Sequence, residues 1–499
     1  MLPVLQSRWA IVAFVLLAMA PMAFVTAPPL VDAPGHLARW IVQVDHGASP
    51  VLRQWYDFRW GLVANLGCDL LAQALLPLIG PEPALRVIVA LALGTQTAGI
   101  LLLSRVVHRK FVPTALFALP FVYAFPFQFG FLNFWLGSGA ALVALAGWIH
   151  LGRTFPASRR ALIFVPVGLL LWICHLVALA VLVVGAFAHE VAQRHRAGGP
   201  AWRVLAGAGL ALWPLSFGPL VGALFARHAR VEPFSYHLTF DKLIWPVQVL
   251  RDSWQGWDMG AVLAAAIAIY LFWRSGRMVR DPSLALFAWA MLAIYVLIPD
   301  MIFEAQYADM RLVPLVFVLF LIAVRPADNA GPKLVAALTV LGLLVVGARW
   351  SGNAVSMMRH SAQFERTVAV LDRLPRGSNV VTLVPHRCGG DLDWDRNRRD
   401  HISGYALIRR ESFDSRQWQE AAGQLLSVHN PAAAPFDREA HGMLYEQPCE
   451  GWPGVREAMR TIGAGVGWVW LVGVAPDFAE PGWRRVAASG DSVLLRRAP

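Results

Sequence analysis

Apolar runs dominate this chain. The first covers residues 10–27, after a single early Arg8. Others fall at about 84–104, 112–130, 133–151, 161–174, 176–192, 203–223, 260–273, 284–299, 311–324 and 333–349. A bilayer core about 30 Å thick needs about 20 apolar helical residues, and these runs match that length or fall slightly short. The pattern predicts a polytopic α-helical membrane protein with about 11 transmembrane helices. The 161–192 stretch reads as two short helices broken near Cys174-His175, with one long tilted helix as the alternative. No clean small-x-small cleavage site follows the first run, so it reads as a retained helix.

Residues 62–79 are apolar but differ in pattern. Asn65, Asp69 and Gln73 recur at four-residue steps and would line one stripe of a helix. Such a stripe suits the interface or a wet cavity, not lipid. The preceding segment, about 28–60, carries Trp40, Trp55, Tyr56, Phe58 and Trp60, which favour the headgroup level. Together they predict a first outer loop with interfacial helices.

Charge supports this count. Only 15% of the 499 residues are charged, against about 25% in a soluble domain. The net charge is +11, yet lysine occurs only at Lys110, Lys242 and Lys333. With the N-terminus cytoplasmic, the inside loops hold Arg105, Arg109 and Lys110; Arg153, Arg159 and Arg160; Arg194, Arg196 and Arg203; Arg274, Arg277 and Arg280; Arg325 and Lys333. Every inside loop is then basic, as the positive-inside rule asks. Scattered basic residues of this kind do not read as a nucleic-acid surface.

An odd number of crossings leaves residues 350–499 outside, beyond a transmembrane domain of residues 1–349. The tail has 18 Arg against 17 acidic residues. Residues 354–373 have helical periodicity. Residues 379–385 (NVVTLVP), 466–474 and 492–496 (SVLLR) read as strands, so the tail is a small α/β domain. Cys68 and Cys174 lie in apolar runs and read as packing residues. Cys388 and Cys449 fall in the outer tail, where an oxidising compartment predicts a disulfide between them.

The candidate chemistry gathers at the outer face. Residues 27–40 (APPLVDAPGHLARW) follow the first run directly and hold Asp32, His36 and Arg39. With a helix from Ala33, His36 lies one turn after Asp32 on the same side. The segment reads as a loop placing a catalytic base, Asp32, in an outward cavity. A plain helix cap with Pro34 in the first turn fits the same spacing. Residues 125–137 (FPFQFGFLNFWLG) join two spans and offer Gln128 and Asn133 among aromatic rings, or form a packed aromatic turn. His175 sits near the outer end of an apolar run, where a functional ionisable group and a neutral, carbonyl-bonded imidazole fit equally. Segment 225–258 carries Phe234, Tyr236, His237, Phe240, Lys242 and Trp245. Glu304, Asp309 and Arg311 stand between two spans: an interfacial ion pair, or a phosphate site built on the Arg311 fork.

Several classes are excluded. There is no GxGxxG in a βαβ setting, no Walker lysine and no GxSxG elbow. Asp391, Asp393 and Asp395 begin like a calcium loop, but Arg396 and Ile402 replace its Gly and Glu, so this reads as a solvated loop. No cofactor is indicated, and no divalent metal.

On Asp32 with His36, the 75–86 segment leading into the second span, and the order of loops, the sequence resembles the GT-C superfamily. These are integral-membrane glycosyltransferases that use polyprenyl-phosphate sugars. It looks most like the branch holding protein mannosyltransferases and lipid A aminoarabinose transferases. The resemblance implies an essential first-loop acid, matched by Asp32. The mannosyltransferases carry an adjacent Asp-Glu pair, whereas Ala33 follows Asp32 here. The resemblance further implies a polyprenyl-phosphate-sugar donor, a glycan, lipid or protein acceptor, a bacterial inner-membrane location and a periplasmic tail. Asp69, Asn133, His36 and Asp309 would contact substrate, and Arg311, Arg39, Lys242 or His175 would steady the leaving phosphate. Two other classes compete. A transporter or flippase should show two related halves with broken helices, and none is visible. A non-catalytic assembly protein would not converge its outer polar residues on one place.

Overall fold

A computed structural model describes residues 3–225, 234–235, 241–302, 306–389, 394–395, 397–418, 424–436, 444–449 and 451–499. Tyr236, His237, Phe240, Glu304, Asp391 and Asp393 lie outside the described residues.

All eleven predicted spans contain helix, but they are not alike. Six helices are long and apolar enough to cross a bilayer: Pro81–His108, Leu132–Thr154, Ala157–Cys174, Leu176–Ala197, Gln255–Arg274 and Pro332–Arg373. A seventh candidate is a pair, Ala201–Ala211 and Trp213–Phe225, bent by 52°. The remaining four, Arg8–Ala23, Thr114–Phe129, Pro282–Leu297 and Met310–Ile322, are shorter. Thr114–Phe129 differs most from one uniform span. Pro120 and Pro126 remove backbone donors, and the run divides into Thr114–Ala118, a 3-10 turn Leu119–Tyr123 and Phe125–Phe129. All its residues are buried, so it threads the bundle interior. The 161–192 stretch is two helices, with extended backbone at His175 (φ −167°).

Close packing sets the bundle core. Gly139 on Leu132–Thr154 meets the Pro81–His108 backbone so tightly that a Cβ there would lie 2.5 Å from Gln96 N. Small residues permit such approach between apolar helices.

The basic loops meet at one end. Met278–Arg280 pairs antiparallel with Val324–Pro326, His108 Nε2 lies 2.8 Å from Ile322 O, and Lys110 bridges Asp328 at 2.9 Å. At the opposite end Phe234–Ser235 pairs with Met301–Ile302. Segments expected on one side of the membrane therefore touch one another.

The helix Pro332–Val368 passes straight through residue 349, merging the last predicted span with the predicted 354–373 helix. Gly347 and Gly352 lie inside it, but a helical glycine costs only about 1 kcal/mol, and no proline intervenes. Beyond it a four-stranded sheet has the order Val380–Leu383, Trp468–Val472, Ser492–Arg497, Trp483–Ser489. The first pair is parallel and the others antiparallel. Trp483–Ser489 escaped the sequence reading because an edge strand bearing Arg484 and Arg485 lacks a continuous apolar run.

Two features fasten this part to the first loop. Tyr56–Phe58 pairs antiparallel with Leu426–Val428. The Tyr56 hydroxyl accepts the Asp414 amide at 2.7 Å. Cys388 and Cys449 are joined by a disulfide. A peptide map under non-reducing conditions should recover these two cysteines in one linked peptide and Cys68 and Cys174 as free thiols. Free Cys388 and Cys449 would contradict the bond.

Candidate active site

The Ala33–Asp45 helix begins where Pro34 fixes its first turn and ends at His46, whose left-handed φ of 48° stops it. Asp32 occupies the N-cap position, but its side chain makes no capping bond to that helix. The capping alternative read from the sequence is therefore absent. The Asp32 amide donates instead to Phe129 O at 2.9 Å, which sets the loop against the 125–129 turn.

One titratable neighbour of Asp32 comes from the C-terminal part. His401 Nε2 lies 3.9 Å from Asp32 Oδ1. His401 Nδ1 is 3.2 Å from the Arg416 carbonyl, which only accepts. Nδ1 must therefore carry the proton, and Nε2 of the neutral ring faces Asp32 as an acceptor. Burial, reinforced by the Arg416 guanidinium, pushes His401 down to about 4, so the ring is neutral at pH 7. Burial also holds His36 well below the ordinary imidazole range, with Arg39, His401 and Arg311 adding to the effect. Trp418 packs against both rings, 4.2 Å from His401 and 4.9 Å from His36.

Arg311 reaches the same place by a different route. Val31 and Met310 share one apolar cluster with Phe125 and Phe129. Each is the chain neighbour of a candidate residue, so Asp32 and Arg311 border one cluster, and Arg311 acts electrostatically on His36. The Arg311 guanidinium sits 3.9 Å over the Phe131 ring and donates to Gln306 O at 3.0 Å.

Other predicted residues are placed elsewhere. Arg39 and Asp69, 1% and 0% exposed, form a two-pronged ion pair, with Nη2 3.2 Å from Oδ2. Asn133 donates to Asp69 Oδ2 at 3.3 Å and to Asn65 O at 2.8 Å, and accepts the Cys68 amide. Gln43 donates to Asp69 O and to Gln73. These residues come together, but facing one another: they lock the Ala33–Asp45 helix onto Gly67–Ile79. His175 caps Leu176–Ala197, its Nδ1 accepting the Val177 amide at 3.1 Å. Lys242 donates to Val296 O and Ile298 O at the end of Pro282–Leu297. Asp309 Oδ1 accepts the Met310 amide at 2.7 Å.

His401, Arg416 and Trp418 were invisible to sequence reasoning. They lie in a polar stretch, and no spacing within it points to Asp32. Arg398 belongs with them: 5% exposed, it donates to Pro29 O and Gln128 Oε1 and pairs with Asp252. Gly404 permits the approach, since a methyl there would stand 2.4 Å from Pro34 O. Gly404→Ala should push the Gly404–Arg410 helix off the loop and cost about 1–3 kcal/mol. The measurement is the melting temperature in detergent, and an unchanged value would mean the contact is not tight.

Asp32 itself is covered, with 7% exposure. Two cavities are described, and Asp32 lines neither. One, of about 530 Å³, lies in the C-terminal part. The other, of about 230 Å³, is an apolar groove lined by Pro246, Ile269, Leu292, Tyr295, Val313 and their neighbours. Among the described residues no group of three or more His, Cys, Asp or Glu side chains is placed to hold a metal ion.

Fold and site together define a polytopic helical membrane protein whose first loop and C-terminal part close over one carboxylate. No protein-family model matches the sequence, and no curated protein does. The fold is shared by ArnT from Cupriavidus metallidurans in its apo state, with a TM-score of 0.50 and 14% identity over 98% of this chain and 97% of that one. ArnT of the same organism bound to undecaprenyl phosphate gives 0.49 and 14% over 98% of both chains. The likeness to ArnT is one of fold.

Proposed function

We propose that the protein is a membrane glycosyltransferase. It moves a sugar from a polyprenyl-phosphate donor to a glycan, lipid or protein acceptor at the periplasmic face of a bacterial inner membrane. The observation that carries this reading is the meeting of Asp32, at an N-cap it does not cap, with His401 and the Arg311 cluster at one end of an apolar bundle. On this reading the chain crosses the membrane about eleven times from a cytoplasmic N-terminus. Residues 1–349 form the membrane domain and 350–499 the periplasmic one.

The chemistry is a single displacement. The acceptor hydroxyl attacks the anomeric carbon, and its proton passes to the Asp32 carboxylate as the new C–O bond forms. The bond from the anomeric carbon to the phosphate oxygen breaks, and its electron pair leaves with the phosphate. Arg311 stabilises that charge, its planar fork suited to two phosphate oxygens. The anomeric centre inverts. The apolar groove gives an isoprenoid chain a bed that ends at Val313, two residues from Arg311. Because Asp32 is covered, the C-terminal segment beside it must shift before substrates reach it.

That burial also fits a non-catalytic envelope assembly protein, with the C-terminal part as its binding module. Comparing envelope glycans of a deletion strain, its parent and a strain complemented with wild type tests the reading. A glycan lost on deletion and regained on complementation is expected. Identical glycans in all three would overturn it.

A further inference from the structure

We propose that the 530 Å³ cavity of the C-terminal part is a binding site for an uncharged saccharide, a reading that does not depend on the transfer reaction. Its walls come from the end of the Pro332–Val368 helix, segments 385–387 and 395–399, Glu446, and the turns at 473–476 and 490–491. Its volume lies within the range of small-molecule sites. On the topology proposed above it also lies outside the bilayer. From Pro332, His360 is about 40 Å along a helix rising 1.5 Å per residue, beyond a core about 30 Å thick.

Charge selects the ligand class. The lining holds Arg387, Arg398 and Arg399 against Asp395, Glu446 and Asp491. Each has an opposite or imidazole partner. Arg399 binds Asp491 at 2.5 Å, Arg387 lies 3.5 Å from Glu446, Arg398 pairs with Asp252, and Asp395 is 3.6 Å from His360. A phosphate site would need surplus positive charge, and among the described lining residues the balance is even. What the wall offers is donors and acceptors side by side, from guanidinium, carboxylate, imidazole and the Gln363 amide. Sugar hydroxyls both donate and accept, so they match such a wall where an anion or a cation does not. Phe364, Val474 and Pro476 add apolar surface for the C–H face of a ring.

The site is held in shape before any ligand arrives. The Cys388–Cys449 disulfide ties together the two segments that supply His386 and Glu446, and the Glu446 amide donates to His386 O at 2.9 Å. Such preorganisation lowers the ordering cost of binding. Arg398 forms part of the wall and also donates to Pro29 O at 3.0 Å, three residues before Asp32. A saccharide seated here therefore abuts the loop that carries the carboxylate.

The test is ligand-observed NMR on the full chain in detergent. The probes are neutral oligosaccharides of glucose, galactose, mannose and N-acetylglucosamine, with inorganic phosphate as the anion. Saturable binding of at least one neutral oligosaccharide is expected. Ala475→Trp fills the cavity from an exposed turn and should weaken binding by about tenfold or more, with the melting temperature unchanged. Gln363→Ala should weaken it too while leaving the volume open. Absence of saturable binding by every neutral probe, stronger binding of phosphate, or equal binding by both variants and wild type would overturn the assignment.

Discussion

Asp32→Asn is expected to leave cells with the same envelope glycans as the deletion strain, while the protein persists in the membrane at the parental level. Asparagine keeps the shape of the side chain and loses its basicity. General-base assistance contributes about 10²–10⁴-fold, so its removal should be visible as near-complete loss of transfer. The side chain makes no capping bond to its helix, so the exchange does not remove a helix cap. The parallel variant His401→Gln can offer an amide N–H to Asp32 and should retain part of the activity, whereas His401→Leu should not. Parental glycans in Asp32→Asn would remove Asp32 from the reaction. Full activity in His401→Leu would limit that residue to packing on Trp418.

The second large effect is on stability. Asp69→Ala strands the Arg39 guanidinium, which is 1% exposed, in a protein interior. Breaking a buried ion pair by removing one member costs about 3–5 kcal/mol, because the remaining charge has lost its solvation and its partner together. Asn133 also loses an anchor, since its amide donates to Asp69 Oδ2, whereas Gln43 bonds the Asp69 backbone carbonyl and keeps its partner. The expected result is a marked drop in melting temperature and in expression. Arg39→Met with Asp69→Leu removes both charges and should recover most of the loss. A single variant as stable as wild type would mean that water reaches the pair.

These two sites show what the sequence could and could not disclose. Apolar runs and basic loops gave away the bundle, because lipid imposes length and charge rules on each helix separately. The strands at 380–383 and 492–497 were legible for the same local reason: each is a short apolar run between turns. Asp32 stands out by its position just after the first run, and its role is a proposal. The pairing of Arg39 with Asp69 was not legible, although both residues had been singled out, because composition does not say which charge faces which. Hydropathy alone did not disclose that the 112–130 run divides into three short helical pieces, since it is blind to Pro120 and Pro126. His401, Arg398 and Trp418 lay in a stretch whose charge density reads as solvated. They are buried only because a distant loop covers them, and nothing in their own neighbourhood encodes that cover.

The short ladder between Tyr56–Phe58 and Leu426–Val428 has a temporal consequence. A ribosome delivers the first strand long before the second. During most of synthesis the Asp32 loop must wait at the membrane surface without its cover, its edge open to other chains. Cover over the Asp32 loop is thus a late event in the protein's biogenesis, and a nascent chain stalled before Leu426 would be inserted with that loop still bare.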